Sequence, residues 1–396
     1  MHIHKNKVIF MIISFLLWFP HFLYVPILSP YMSAKGISYT FIGIVLGSYG
    51  IMQLLLRIPI GIGSDILNNK KMFIVLGMFA SFLSCTIFIF ADSGVWLLTA
   101  RTLAGAGAAS WVAFTIMYTG FFTPEKMTAA MGSISFIIVL AQYISMSISG
   151  MLVDMFGWEA PFYIATLCSL IGLILTGFIH EENRNETTKD EPMRFKDIPS
   201  VVKNSTLLKA ALLSIFAHSI MFATIFGFMP NVAMSIGFTE GSLIYVVGAF
   251  MIPHAIGTLL IGNVIVPRLG IYLSLMLSFL VVFISLIVIP FTSSQALFLF
   301  FQAFTGFGLG VIFPVLLGLP IKNISDKKKT TAMGVYQSLY AIGIFGGPYV
   351  SGWMNNTFGL TSGYYFLAVL AVLGTSFVMY WSKKQKDTQK YLKYVQ

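Results

Sequence analysis

The stretch Gly61-Ile62-Gly63-Ser64-Asp65-Ile66-Leu67-Asn68-Asn69-Lys70-Lys71, preceded by Arg57 and Pro59, is a short polar knot between two long apolar runs. Residues 39 to 62 read as one membrane-crossing helix and residues 71 to 91 as the next. A hydrocarbon core about 30 Å thick takes roughly 20 apolar residues per helix, which leaves about eight residues for the turn. A turn so tight and so charged belongs at a membrane surface.

The rest of the chain has the same character. Of its 396 residues, 57% are hydrophobic and only 10% charged, and the mean hydropathy of +0.86 excludes a soluble domain of this size. Long apolar runs recur at residues 8–32, 39–62, 71–91, 95–120, 128–152, 159–179, 207–233, 242–266, 271–291, 295–320, 331–354 and 361–381. A membrane strand needs only about ten residues and alternates apolar with polar positions, and these runs do neither. Backbone groups in lipid must find partners within their own segment, so the runs predict an all-α membrane protein with twelve transmembrane helices.

The net charge of +10 reports topology. Of the 24 Lys and Arg residues, all but Lys35 and Arg101 fall in the termini, in the loops that twelve spans place on one side, or near the span ends beside those loops. That asymmetry puts both termini in the cytoplasm and argues against a nucleic-acid partner. Lys383, Lys384, Lys386, Lys390 and Lys393 form a basic tail suited to anionic lipid headgroups. Met1 to Lys7 followed by an apolar run has the outline of a secretion signal. Pro20 and His21 interrupt that run and no small-residue cleavage site follows, so it reads as an uncleaved first helix. Cys85 and Cys168 both lie inside spans and read as packing thiols. The sequence points to no cofactor and no metal.

The chain divides in two. The only long polar stretch falls after His180, which predicts a first six-helix bundle over 1–180, a cytoplasmic linker over 181–206, a second bundle over 207–382 and the basic tail over 383–396. Arg101, Gly105 and Gly107 align with Gln302, Gly306 and Gly308 at an offset of 201. Lys126 to Gly132 align with Lys328 to Gly334, and Ser149-Gly150 through Phe156-Gly157 with Ser351-Gly352 through Phe358-Gly359, both at 202. Three matches at nearly one offset mark two six-helix pseudo-repeats.

The opening knot resembles the signature loop that the major facilitator superfamily carries between its second and third spans. Gly61 and Asp65 stand on the Gly and Asp of that motif, and Lys70 and Lys71 supply its terminal cations. The chain departs from the pattern at Ile66, where the family has Arg or Lys, and at Asn68, where it has Gly. The resemblance covers nearly the whole chain. It implies parallel repeats about an axis normal to the membrane, with substrate near the midplane between halves. It also implies that Asp65 docks on the start of the eleventh helix as a conformational latch, together with Gly61, Lys70 and Lys71. A carboxylate near a helix N-terminus is stabilising by roughly 0.3–1 kcal/mol. An Asp that caps its own turn is the plainer reading of the same residue. The second half keeps a degraded copy, Gly262 to Gly270 with Val266 in the Asp position, so one latch survives.

Arg101 is the one cation placed well inside a run, and an ionised side chain there faces a cavity or a partner. Arg101-Thr102-Leu103-Ala104-Gly105-Ala106-Gly107-Ala108-Ala109 is similar to the second facilitator motif, common in drug and proton antiporters, which implies a role in proton coupling or in binding an anionic group. An Arg tied to neighbouring carbonyls is the alternative. Gly105 and Gly107 read as close-packing positions, and Trp111 as a wall of the cavity or part of its packing. No Asp or Glu lies in the middle of a span, whereas His21, His218 and His254 do, and a histidine titrates near neutral pH. Gln53, Gln142 and Gln337 join them as polar cavity candidates. Gly346-Gly347-Pro348 looks like the Gly-Pro signature that antiporters carry in the fifth span, where this chain has Ser145 to Gly150 instead; as plain physics the three residues mark a bend and close packing.

These observations predict a monomeric, multi-pass plasma-membrane transporter resembling the drug-efflux branch of that family, exporting a small organic molecule with proton coupling. Its rival is transport of an anionic metabolite such as an organic acid, a sugar phosphate or a carboxylate-rich metal chelator. A membrane enzyme acting on lipid headgroups is the remote alternative, because every loop but the central one is short.

Overall fold

The computed structural model describes residues 2–67, 69–122, 127–181, 199, 203–319 and 326–395. Helices and short turns account for them, with no strand among the described residues. The order is α1 (His2–Leu23), α2 (Val25–Ala34), α3 (Tyr39–Ile66), α4 (Lys70–Phe90), α5 (Gly94–Ala109), α6 (Trp111–Gly120), α7 (Met127–Phe156) and α8 (Ala160–Thr176). The second set is α9 (Ser205–Ala223), α10 (Met229–Ser235), α11 (Leu243–Leu260), α12 (Val266–Val288), α13 (Gln295–Gly318), α14 (Asp326–Phe358) and α15 (Ser362–Val395). Among the described residues nine continuous stretches are long and apolar enough to cross a membrane, and Ala160–Thr176 is a shorter apolar helix. The pairs α1 with α2, α5 with α6 and α9 with α10 each make one of the twelve expected spans.

Most of the expected linker lies outside the described residues. At its far end Asn204 caps α9, its side chain accepting the N–H groups of Thr206 and Leu207 at 3.0 Å each. The expected tail continues α15 as helix to Val395, with the side chains of Lys386, Lys390 and Lys393 outside the described residues.

The breaks recur in step with the repeat. The first span bends at Tyr24, and Pro26 then opens α2 at a position where a missing N–H costs nothing. In the other half the seventh span passes through a wide turn over Thr224–Phe228, with Gly227 outside helical geometry, and Pro230 follows. Gly36 and Gly237, 201 residues apart, both adopt left-handed backbone (φ 75° and 94°), as do Gly157 and Gly359, 202 apart (φ 89° and 101°). Glycine takes that conformation without the Cβ penalty, so the turns repeat as well as the helices.

The halves meet along α3 and α14. Gly43, Gly47 and Gly50 fall on one face of α3 at helical spacing. A Cβ on Gly47 would stand 2.7 Å from the carbonyl oxygen of Phe345, and one on Gly50 would stand 2.8 Å from Cβ of Ile344. The backbones approach that closely because the side chains are absent. At the end of the bundle opposite the termini, Gly150 of α7 packs on the backbone of Glu240, and α2 packs on α10 and on the Thr224–Phe228 turn. The halves are therefore closed at that end. Pro348 lies within α14, which runs on past it to Phe358.

Candidate functional site

The polar knot binds the end of α8. Asn69 accepts the N–H of Met72 at 2.9 Å, and Glu181 accepts the two preceding ones, Lys70 at 3.1 Å and Lys71 at 3.0 Å. In return, the Lys71 ammonium donates to the carbonyls of Gly177 (3.3 Å) and Ile179 (2.8 Å), just beyond α8, while Lys70 Nζ stands 3.6 Å from Glu181. A helix start carries partial positive charge and a helix end partial negative charge, so each terminus is capped by a charge from the other. Lys70 and Lys71 thus hold their own half together. Gly61 packs beside Val112 of α6, where an added Cβ would make ordinary contact at 3.6 Å. The side chain of Asp65 lies outside the described residues.

Arg101 is only 2% exposed. Its guanidinium carbon sits 4.3 Å from the centre of the Tyr49 ring and 5.8 Å from that of Tyr24, and Nη1 donates to the Tyr24 hydroxyl at 3.5 Å. Aromatic faces stabilise a desolvated cation, here in place of a carboxylate. Nε has no hydrogen-bond partner.

His21, equally buried, places Nδ1 2.6 Å from the carbonyl of Leu17 and Nε2 3.0 Å from that of Ala104. A neutral imidazole donates from one nitrogen only, and donation to both carbonyls requires the imidazolium. Gly107 lets α5 come this near, since a Cβ there would stand 3.4 Å from His21 Nε2, and Gly105 does the same against Tyr49. Trp111 joins the group through Trp18, the two rings meeting edge to face at 5.3 Å.

A second polar cluster crosses the seam. Arg57 is 7% exposed, nine residues before the end of α3, which puts it about 14 Å inside at 1.5 Å per residue. Nη1 donates to Gln337 Oε1 (3.1 Å) and to the Tyr340 hydroxyl (2.8 Å), both on α14, and Nη2 to Gln53 Oε1. Tyr340 stacks on His218 with ring centres 3.9 Å apart and planes 5° from parallel. Phe313 closes on His218 edge-on at 4.8 Å and reaches His254 at 6.0 Å, so two of the three histidines share one aromatic group. His218 Nδ1 lies 2.8 Å from the Ser214 carbonyl, and Nδ1 of His254 has no partner. Gln142 sits half-buried on α7. Cys85 and Cys168 are both free thiols.

Arg57, Tyr340 and Glu181 were not among the residues expected from sequence. The sequence groups Arg57 with the cytoplasmic cations because it lies close to the end of its apolar run, whereas α3 continues to Ile66 and buries it. Glu181 falls in the stretch that the sequence assigns to the linker.

Comparison with known proteins decides the family. The Major Facilitator Superfamily profile matches residues 10–230 and again residues 211–393, once for each half. This chain belongs to the major facilitator superfamily. It is a membrane transporter with a small-molecule cargo, and its fold is that of the superfamily. An uncharacterised MFS-type transporter of Methanocaldococcus jannaschii is 23% identical over 371 residues, covering 88% of this chain and 90% of its own. Multidrug resistance protein 2 of Bacillus subtilis is 24% identical over 407 residues, covering 97% and 98%. The crystal structure of the nucleoside transporter NupG superposes with a TM-score of 0.77 at 16% identity, covering 94% of this chain and 98% of its own. The last likeness concerns the fold alone.

Proposed function

We propose that this transporter exports a small organic molecule, coupled to protons, by rocking its two halves around a midplane site. The setting of His21 carries the reading. Its two ring nitrogens face carbonyls of two different helices, beside the break at Tyr24. Gain or loss of one proton changes whether α1 and α5 are bonded through that ring. With no Asp or Glu in the middle of a described span, histidine is the titrating group at hand. The name of the Bacillus subtilis relative supports export of drugs. The placement of cations supports a plasma-membrane protein with both termini in the cytoplasm.

The test uses proteoliposomes with an imposed pH gradient and a pH-sensitive dye inside. They are challenged in turn with tetraphenylphosphonium and with phenyl phosphate, using wild type, His21→Asn and Arg101→Ala. Solute-dependent proton movement in wild type and its loss in His21→Asn are expected. Undiminished proton movement in a folded His21→Asn protein would overturn the role of His21.

A second reading, transport of an anionic metabolite, is favoured by one observation. Arg101 and Arg57 are both buried without an acidic partner, and the one ion pair among the described residues is Lys70 with Glu181. On that reading phenyl phosphate moves, the lipophilic cation does not, and Arg101→Ala abolishes the movement.

A further inference from the structure

A guanidinium deep in a membrane protein is stabilised by a carboxylate, by carbonyls at a helix end, or by the face of an aromatic ring. Arg101 takes the third course. Arg57 takes none of them fully, because its ring neighbour Tyr340 lies 5.5 Å away and its hydrogen-bond partners are two amides and a phenol, all neutral. Its Nε is buried and has no partner at all. Two of the three acceptors, Gln337 and Tyr340, belong to the opposite half, so they leave Arg57 whenever α3 and α14 part.

The surroundings suit a flat ring. His218 and Tyr340 lie parallel and cover one another's faces at 3.9 Å, with Phe313 edge-on to His218, so the edges of the pair are what a flat ring can meet. His218, Phe313, Gln337 and Tyr340 are each only partly buried, so this group keeps some accessible surface.

We propose that Arg57 anchors a binding site for an organic oxyanion, a carboxylate or phosphate carried beside a flat ring, at the seam between the two halves. The oxyanion takes the place of Gln337 and Tyr340 on the guanidinium, whose planar fork matches two oxygens at once. The ring packs against the edges of the stacked His218 and Tyr340. The inference rests on the transporter reading and names the cargo class, with Arg57 rather than Arg101 as its anchor.

The experiment is isothermal titration of the full chain, purified in neutral detergent, with salicylate, phenyl phosphate, benzylamine as its cation and benzyl alcohol. The two anions are expected to bind and to compete, and the cation and the alcohol to give no heat. Arg57→Gln should weaken anion binding at least tenfold and Arg57→Lys less, with a melting curve confirming that each variant is folded. Gln337→Leu removes a competing acceptor and should bind as tightly as wild type or tighter. Unchanged anion binding in folded Arg57→Gln overturns the proposal. So does a loss in Gln337→Leu equal to that in Arg57→Gln, which would make the cluster a structural brace. Displacement of phenyl phosphate by phosphatidylglycerol at equal concentration would assign the site to lipid headgroups and overturn the cargo reading. Proton movement with tetraphenylphosphonium and no anion binding overturns this site but leaves proton-coupled export standing; anion binding without proton movement does the reverse.

Discussion

Replacing Glu181 by alanine removes the cap that α8 lends to α4. Two N–H groups lose their acceptor, at 3.1 and 3.0 Å, and a cap of this kind contributes about 1 kcal/mol. The loss of negative charge beside the helix start adds roughly 0.3–1 kcal/mol. The 3.6 Å pair with Lys70, with side chains 22% and 18% exposed, adds less than about 1 kcal/mol after solvent screening. The three together come to roughly 2 kcal/mol, with Asn69 still capping Met72 in the variant. At the low end of the roughly 2–4 °C per kcal/mol seen in domains of 150–250 residues, because this chain is longer, the melting temperature should fall by about 4 °C. Glu181→Gln keeps one acceptor oxygen and loses the charge, so its fall should be about half as large. Membrane proteins unfold irreversibly in detergent, so all three proteins must be scanned at one rate. Amide exchange at Lys70 and Lys71 should quicken in the alanine variant while exchange at Thr206 and Leu207, capped by Asn204, stays as it was. Unchanged melting together with unchanged exchange would refute the capping account and return Glu181 to the linker.

Two adjacent glycines should behave oppositely. A Cβ on Gly347 would stand 2.8 Å from the carbonyl carbon of Ser219, whereas one on Gly346 would meet nothing within 4 Å, so Gly347→Ala should lower stability by about 1–3 kcal/mol and reduce transport while Gly346→Ala leaves both near wild type; equal melting temperatures for the two variants would contradict this packing of α9 on α14. If Asp65 latches the halves, Asp65→Asn should cut transport in proteoliposomes with normal membrane insertion, and full transport in that variant would leave Asp65 as no more than a turn cap.

The fold was legible because the constraint on it is coarse. Twenty apolar residues in a row can only cross the membrane as a helix, and matching motifs at offsets of 201 and 202 require two equivalent halves. The left-handed glycines at 36 and 237 and at 157 and 359 repeat at those same offsets. The site was legible only where a residue was odd for its place. Arg101 and the three histidines stood out as polar groups within apolar runs. Arg57 did not, because a cation within reach of a run's end resembles any positive-inside residue, and its partners on α14 lie 280 and 283 residues further on. Glu181 was obscured by its neighbours, since acids and bases mix freely after His180 and only the meeting of α4 with α8 picks out one of them.

The centre of the protein is charged on one side only. Arg57 and Arg101 both belong to the first half, and Gln302, which stands where the repeat would place a second Arg101, is a fully buried neutral amide. The second half meets Arg57 with an amide and a phenol, the phenol ring stacked on an imidazole. Neutral acceptors give a guanidinium hydrogen bonds without the ion pair and bidentate fit that a carboxylate adds, so the bonds from Arg57 to Gln337 and Tyr340 are the more easily exchanged. An acid in their place would lock α3 to α14 and oppose the rocking proposed above. A cargo that carries its own negative charge would form the stronger bond only while bound, and on its release the neutral acceptors of α14 would take the guanidinium back.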